Sequence, residues 1–108
     1  MREILMGPTS ETAGKDAKAV DLLFHEAVAL LRAAGAREIY VFGSFAEGKE
    51  REDSDLDLAI EGLPPSEFFN TAARLEDLLG RPIDLVDLDD PTPFTAYLRA
   101  KGLLRRLS

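Results

Sequence analysis

Two aspartates on either side of Leu56, Asp55 and Asp57, are the residues best placed to do chemistry. They open an apolar run, Leu56, Leu58, Ala59 and Ile60, which predicts a strand over residues 55–60. In a strand, residues i and i+2 project to one face, about 6.6 Å apart along the backbone. Two carboxylates aimed at one point repel each other unless a cation sits between them. Mg²⁺ suits such a site, being a hard ion held by one or two carboxylates together with substrate phosphates. A Gly43-Ser44 pair arrives at the same edge, directly after the short apolar run Ile39-Tyr40-Val41-Phe42. Backbone N–H groups approach a phosphate closely where no Cβ intrudes, and the Ser44 hydroxyl adds a donor. The segment therefore reads as a phosphate-and-magnesium site built on two strands. The plainer reading is an acidic turn before an ordinary strand, and the run from Glu47 to Asp53 does read as a solvated loop. Asp is nonetheless depleted in strands, so two at a strand start ask for a further reason.

The elements that must position these residues follow from periodicity. From about Asp16 to Ala34 the apolar positions Val20, Leu23, Phe24, Ala27, Val28 and Leu31 recur at spacings of three and four, predicting a helix that Gly35 caps. Its His25, the only histidine, reads as an exposed or core-edge residue. Residues 38–42 form a short buried strand, and residues 43–48 a turn. Residues 62–65, Gly-Leu-Pro-Pro, end the second strand. Ser66 is expected to cap a helix reaching Leu79, with Phe68, Phe69, Ala72, Leu75 and Leu79 as its buried stripe and Gly80 as its terminator. A third strand alternates from Arg81 to Leu88. Thr92 followed by Pro93 is a cap with proline at the first helical position, opening a helix that turns Phe94, Tyr97 and Leu98 inward. Leu103, Leu104 and Leu107 read as a terminal packing strand or helix stub. Ahead of all this, residues 1–14 are poorly patterned. Ile4-Leu5-Met6 could form a short extra strand, Gly7-Pro8-Thr9-Ser10 breaks it, and the segment is expected to be mobile. The order helix, strand, strand, helix, strand, helix gives an α/β class of the α+β type, a small mixed sheet with helices packed on it. The link between the first two strands is too short for a helical crossover.

Composition bounds the function. The chain has 108 residues, the size of one domain, and a net charge of −7. That balance argues against sequence-independent nucleic-acid binding and against an anionic membrane surface. It is compatible with a metal–nucleotide complex or a basic protein partner. There is no cysteine, which excludes disulfides, thiolate metal sites and a cysteine nucleophile. No apolar run approaches a bilayer-spanning length and the N-terminus lacks a signal-peptide core, so a cytoplasmic location is expected.

A phosphoryl-transfer site with two metals usually needs a third carboxylate. The third strand offers Asp84 and Asp87, whose odd separation puts them on opposite faces. The competing role for Asp84 is a salt bridge, for example to Arg81.

The string Gly43-Ser44-x-x-x-Gly48, followed by Ser54-Asp55-x-Asp57-Leu58, resembles the signature of the DNA polymerase β-like nucleotidyltransferases. Length and arrangement look most like their smallest prokaryotic members, the minimal nucleotidyltransferases (MNT proteins), over roughly residues 20–104. The resemblance implies a nucleotidyltransferase-like core. It implies that Asp55, Asp57 and Asp84, the last lying inside an apolar strand after the long helix, are the catalytic and metal-binding residues for two Mg²⁺ ions. It implies nucleotide binding by Gly43, Ser44 and Ser54, with ATP favoured as substrate. Members of the minimal group often carry Arg before the second glycine, where this chain has Glu47. Lys49 or Arg51 could replace the lost charge.

The chain leaves no room for the extra domain with which larger relatives bind an acceptor, so a partner protein is expected to supply that surface. By resemblance the partner is a HEPN-domain toxin, and the chain an antitoxin that adenylylates one of its tyrosines. Two other readings stand beside this one. The chain could be a catalytically weak or inactive domain that binds and neutralises its partner, or it could transfer a nucleotide to a small molecule such as an antibiotic. The apolar residues crowding the C-terminal end, Phe94, Tyr97, Leu103, Leu104 and Leu107, suggest an interface with that partner or with a second copy.

Overall fold

The computed structural model describes residues 8–49 and 55–107. A long helix α1 (Pro8–Ala34) leads into strand β1 (Glu38–Phe42) and a short helix α2 (Gly43–Glu47). Strand β2 (Leu56–Glu61) follows, then a 3₁₀ turn (Pro65–Glu67), helix α3 (Phe68–Leu79) and strand β3 (Ile83–Asp87). Helix α4 (Pro93–Ala100) and a two-residue strand β4 (Arg105–Arg106) complete the described elements. The sheet runs β3-β2-β1-β4. β1 is antiparallel to both β2 and β4, and β2 is parallel to β3. This is the mixed sheet with packed helices that the periodicity predicts. Among the described residues no helix is long and apolar enough to cross a membrane.

Strand alternation divides the core into two layers. Ile39, Val41, Leu56, Leu58, Ile60 and Ile83 face α1 and α3, where they meet Ala27, Leu31 and Leu75. Phe42 and Ala59 face the other way, against Leu88 and Leu98, with Tyr40, Val86 and Leu104 packed around them. β2 is thus buried on both faces from Leu58 to Ile60, and it reads as a nearly continuous apolar run for that reason. Asp57 lies on the α4 face, just short of the region that α4 covers.

Several expectations change. Helix α1 starts at Pro8 and not near Asp16. Proline is tolerated in the first turn of a helix, where its missing N–H would have had no partner, so Pro8–Ser10 of the expected break form a helix start. Residues 8–14 of the segment expected to be mobile therefore belong to α1, while residues 1–7, with the expected Ile4–Met6 strand, lie outside the described residues. Ser66 does not cap α3. It sits inside the 3₁₀ turn, and the N-cap position falls on Glu67 without a side-chain hydrogen bond. The predicted stripe otherwise holds, with Leu75 in the core and Phe68 and Leu79 packed against it, and only Phe69 departs from it. Phe69 is 82% exposed, while Thr71 and Leu75 are fully buried. In α4, Leu98 and Thr95 point inward, whereas Phe94 and Tyr97 remain about half exposed. Other local signals hold. Gly80 ends α3 in the left-handed region. The Thr92 hydroxyl accepts the Thr95 N–H at 3.1 Å and the Thr95 hydroxyl accepts the Thr92 N–H at 3.0 Å, a reciprocal cap on α4.

Candidate active site

The site is assembled by strand register. β1 ends at Phe42, whose partner across the antiparallel pair is Asp57. On the other side of β2, the parallel pairing sets Asp57 directly beside Asp84. Residues in register share a face, so Phe42, Asp57 and Asp84 form a row across three strands. Asp55 precedes β2 and is exposed, so the strand begins one residue later than expected. It still lies close enough to act on Asp57. Burial, then the charge of Asp84, then that of Asp55 push the Asp57 carboxyl above its ordinary value. Asp84 is exposed and has no ion-pair partner among the described residues. Arg81, the cation considered for it, lies 5.3 Å from the Phe45 ring centroid. Asp87 acts locally, since its carboxylate accepts the Asp89 N–H at 2.9 Å and shapes the turn that ends β3.

Gly43 begins α2 immediately beside this row. Its φ is +71°, in the left-handed region, and a Cβ built there would collide with the Asp57 carboxylate. Only glycine lets the backbone turn into α2 while the carboxylate occupies that space. Ser44 follows, half-buried, in the first turn, where backbone N–H groups lack helical partners. Ser54 lies outside the described residues, as does Arg51. Glu47 is exposed and pairs with Lys49 at 3.4 Å. His25 is exposed on α1.

The donor set fits a divalent cation held jointly with a ligand. The charges of Asp84 and Asp55 both act on Asp57, and no cationic side chain pairs with Asp57 or Asp84 among the described residues. Yet those residues contain no cluster of three acidic, histidine or cysteine side chains tight enough to hold an ion unaided. Mg²⁺ requires no such cage, since it usually keeps several waters and completes its shell with substrate phosphates.

Beside Gly43 and Asp57 opens a cleft of about 420 Å³. Its walls are mostly apolar: Phe42, Phe94, Tyr97, Leu98, Leu103 and Leu104, with Glu47 and Arg105 as further charged members. Sequence reasoning places Phe94, Tyr97, Leu103 and Leu104 together at one end but does not connect them to the carboxylates. Arg105 escapes it altogether. This residue borders the cleft only through the pairing of β4 with β1, opposite Val41, and a two-residue charged strand carries no periodic signal.

The family model described as polymerase beta, nucleotidyltransferase, matches residues 29–104. A relative from Thermococcus cleftensis, named protein adenylyltransferase MntA, is 46% identical over 55 residues, which make up 48% of this chain and 56% of the relative. The chain thus spans about half the length of the curated relatives it matches. The fold resembles that in a crystal structure of a toxin–antitoxin with AMP-PNP, with a TM-score of 0.67 and 26% identity over 79% of this chain and 72% of that one. It also resembles a structure described as a minimal nucleotidyltransferase, with a TM-score of 0.66 and 26% identity over 84% of this chain and 93% of that one. The family match covers the two strands, the Gly43–Gly48 turn and all three carboxylates, and the chain belongs to the polymerase β-type nucleotidyltransferases.

Proposed function

We propose that this chain transfers AMP from ATP to a hydroxyl of a protein partner, a tyrosine of a HEPN-type toxin, and so acts as an antitoxin. One observation carries the chemistry: Asp57 and Asp84 stand in register beside the left-handed Gly43 that opens α2. The protein adenylyltransferase name of the Thermococcus relative and the AMP-PNP of the toxin–antitoxin structure support the substrate and the kind of acceptor. The family resemblance supplies the HEPN identity of the partner. The setting we propose is the cytoplasm.

In this reading Asp55, Asp57 and Asp84 hold Mg²⁺. When bound, Mg²⁺ neutralises phosphate charge and lowers the pKa of the attacking hydroxyl. The chain's own residues do the rest. Gly43 brings backbone N–H groups against the triphosphate because it has no side chain to hold them off. Ser44 and Ser54 add hydroxyl donors. Asp84, exposed to the approaching acceptor, takes the hydroxyl proton. The acceptor oxygen then bonds to the α-phosphorus, the bond to the pyrophosphate oxygen breaks, and pyrophosphate leaves with its electron pair.

The deciding experiment incubates the protein with α-labelled ATP, Mg²⁺ and the HEPN-type partner. Label on the partner is the expected result. A tight complex without label points instead to a binding and neutralising module. That reading draws on Glu47, which sets a carboxylate on the cleft.

A further inference from the structure

We propose that Arg81 is a positioning residue for the nucleotide: lying over the Phe45 ring, it holds α2, and with it the Gly43-Ser44 turn, in place against the carboxylate row. This rests on the nucleotidyltransferase reading and adds to it a residue outside the Gly-Ser and Asp-x-Asp segments. Helix α2 cannot hold itself. It has five residues, little more than one turn, and no side chain caps its N-terminus. Even much longer helices are marginal in isolation, because the first turn fixes several dihedral angles for a single hydrogen bond. The place of α2 must therefore come from tertiary contacts, and Phe45 is the residue it buries.

Two groups grip that ring. Phe24 of α1 meets it edge to face, with centroids 6.1 Å apart and planes at 67°. The Arg81 guanidinium lies over it, 5.3 Å from the centroid. A cation is drawn to the electron-rich face of an aromatic ring, so this contact fixes where the ring sits as well as adding attraction. The backbone beside Arg81 is fixed in turn. The Pro82 carbonyl accepts the Leu56 N–H at 3.1 Å, which ties the entry of β3 to the start of β2. That junction lies between Asp55 and Asp57 on one strand and two residues before Asp84 on the other. Phe45 belongs to the core on the α1 and α3 side of the sheet, so Arg81 reaches it from behind the carboxylate row. One arginine thus couples the strands that carry the carboxylates to the helix that carries Gly43 and Ser44. Without it, a bound triphosphate would itself have to order the turn, and preorganisation lost in this way appears as weaker binding.

The test measures the Kd of Mg²⁺–AMP-PNP for the full chain by calorimetry, and amide hydrogen exchange in the protein without nucleotide. Arg81→Met keeps an apolar stem and removes the cation. It should weaken binding about fivefold, the scale of one cation–π contact. It should also speed exchange of the Gly48 and Lys49 amides, which donate to the Ser44 carbonyl across α2, while the β2 amides keep the wild-type rate. Arg81→Lys should recover part of both effects. Phe45→Leu should weaken binding to a similar degree, and adding Arg81→Met to it should weaken binding little further, since the two side chains act as one unit. Phe45→Met replaces the leucine variant should that one fail to fold. An Arg81→Met loss that is undiminished in the Phe45 variant would overturn the inference, because the guanidinium would then act on the nucleotide by another route. So would faster exchange throughout the sheet, which would mark a general loss of stability. Wild-type protein that binds no nucleotide would sink the nucleotidyltransferase reading, and this inference with it. Wild-type binding matched by Arg81→Met would sink this inference alone.

Discussion

Asp57 carries opposed demands, and they make a prediction about stability as well as activity. Burial and the facing charges of Asp84 and Asp55 raise its carboxyl above the ordinary value. The folded protein therefore holds that proton more tightly than the unfolded chain does. This contribution to stability is full below the ordinary carboxylate pKa and is lost as pH rises towards the raised folded value. At neutral pH the metal-free protein carries the repulsion in full. Asp57→Asn should therefore melt higher than wild type at neutral pH without metal, the difference shrinking towards pH 4, and should catalyse no transfer. Thermal melts across pH read the first part; a variant that melts lower at neutral pH would contradict it. The other two acidic positions on β3 should separate cleanly. Asp84→Asn should stop transfer yet keep Mg²⁺–nucleotide. Asp87→Asn should be nearly silent, since an amide oxygen can still accept the Asp89 N–H. Gly43→Ala meets both a left-handed backbone and the Asp57 carboxylate, and should lose activity together with about 1–2 kcal/mol of stability.

The elements show which parts of this site the sequence could declare. Asp55 and Asp57 were legible because charged residues at a strand start violate strand preference, and a violation stands out. The cap on α4 was legible because Thr92 and Pro93 satisfy a local rule with local atoms. The exposure of Phe69 on α3 and of Phe94 and Tyr97 on α4 was not. Phe69 fits the apolar spacing of α3, but Phe68, Leu75 and Leu79 already fill the side of the helix that meets the core, and Phe69 is left facing solvent. Phe94 and Tyr97 fit a helical stripe, but α4 leans on the sheet through Thr95 and Leu98. β4 has no signal of its own, since Arg105 and Arg106 become a strand only because β1 offers an open edge. Thr71 illustrates the same gap and yields a prediction. It is fully buried on α3 and its hydroxyl has no hydrogen-bond partner among the described residues. Thr71→Val should stabilise the protein by about 1 kcal/mol, because it removes a desolvated polar group at nearly constant shape. Denaturant midpoints measure this, and a destabilised variant would mean that the hydroxyl is satisfied in solution.

At the scale of the whole molecule, apolar exposure and chemistry lie at the same place. Phe94, Tyr97 and Leu103 are about 40–50% exposed, and all three line the cleft that holds Gly43 and Asp57. Leu104 and Leu107, which the sequence groups with them, are half-buried against the core and serve the fold. In the proposed reaction a protein acceptor must bring its hydroxyl to the carboxylate row, and the exposed rim is the surface it would meet on the way. Aromatic side chains at such a rim supply large contact area at low entropic cost. Tyr97→Ser should therefore reduce modification of the partner about tenfold through weaker complex formation, the usual cost of losing an interface tyrosine. The Kd for Mg²⁺–AMP-PNP should stay that of the wild type, and melting should change little because the ring is already half in water. Measuring both constants on the same variant separates two roles for the rim. A loss in nucleotide affinity that matches the loss in modification would make Tyr97 part of the nucleotide pocket, and the protein acceptor would then have to approach from the open side of Asp84.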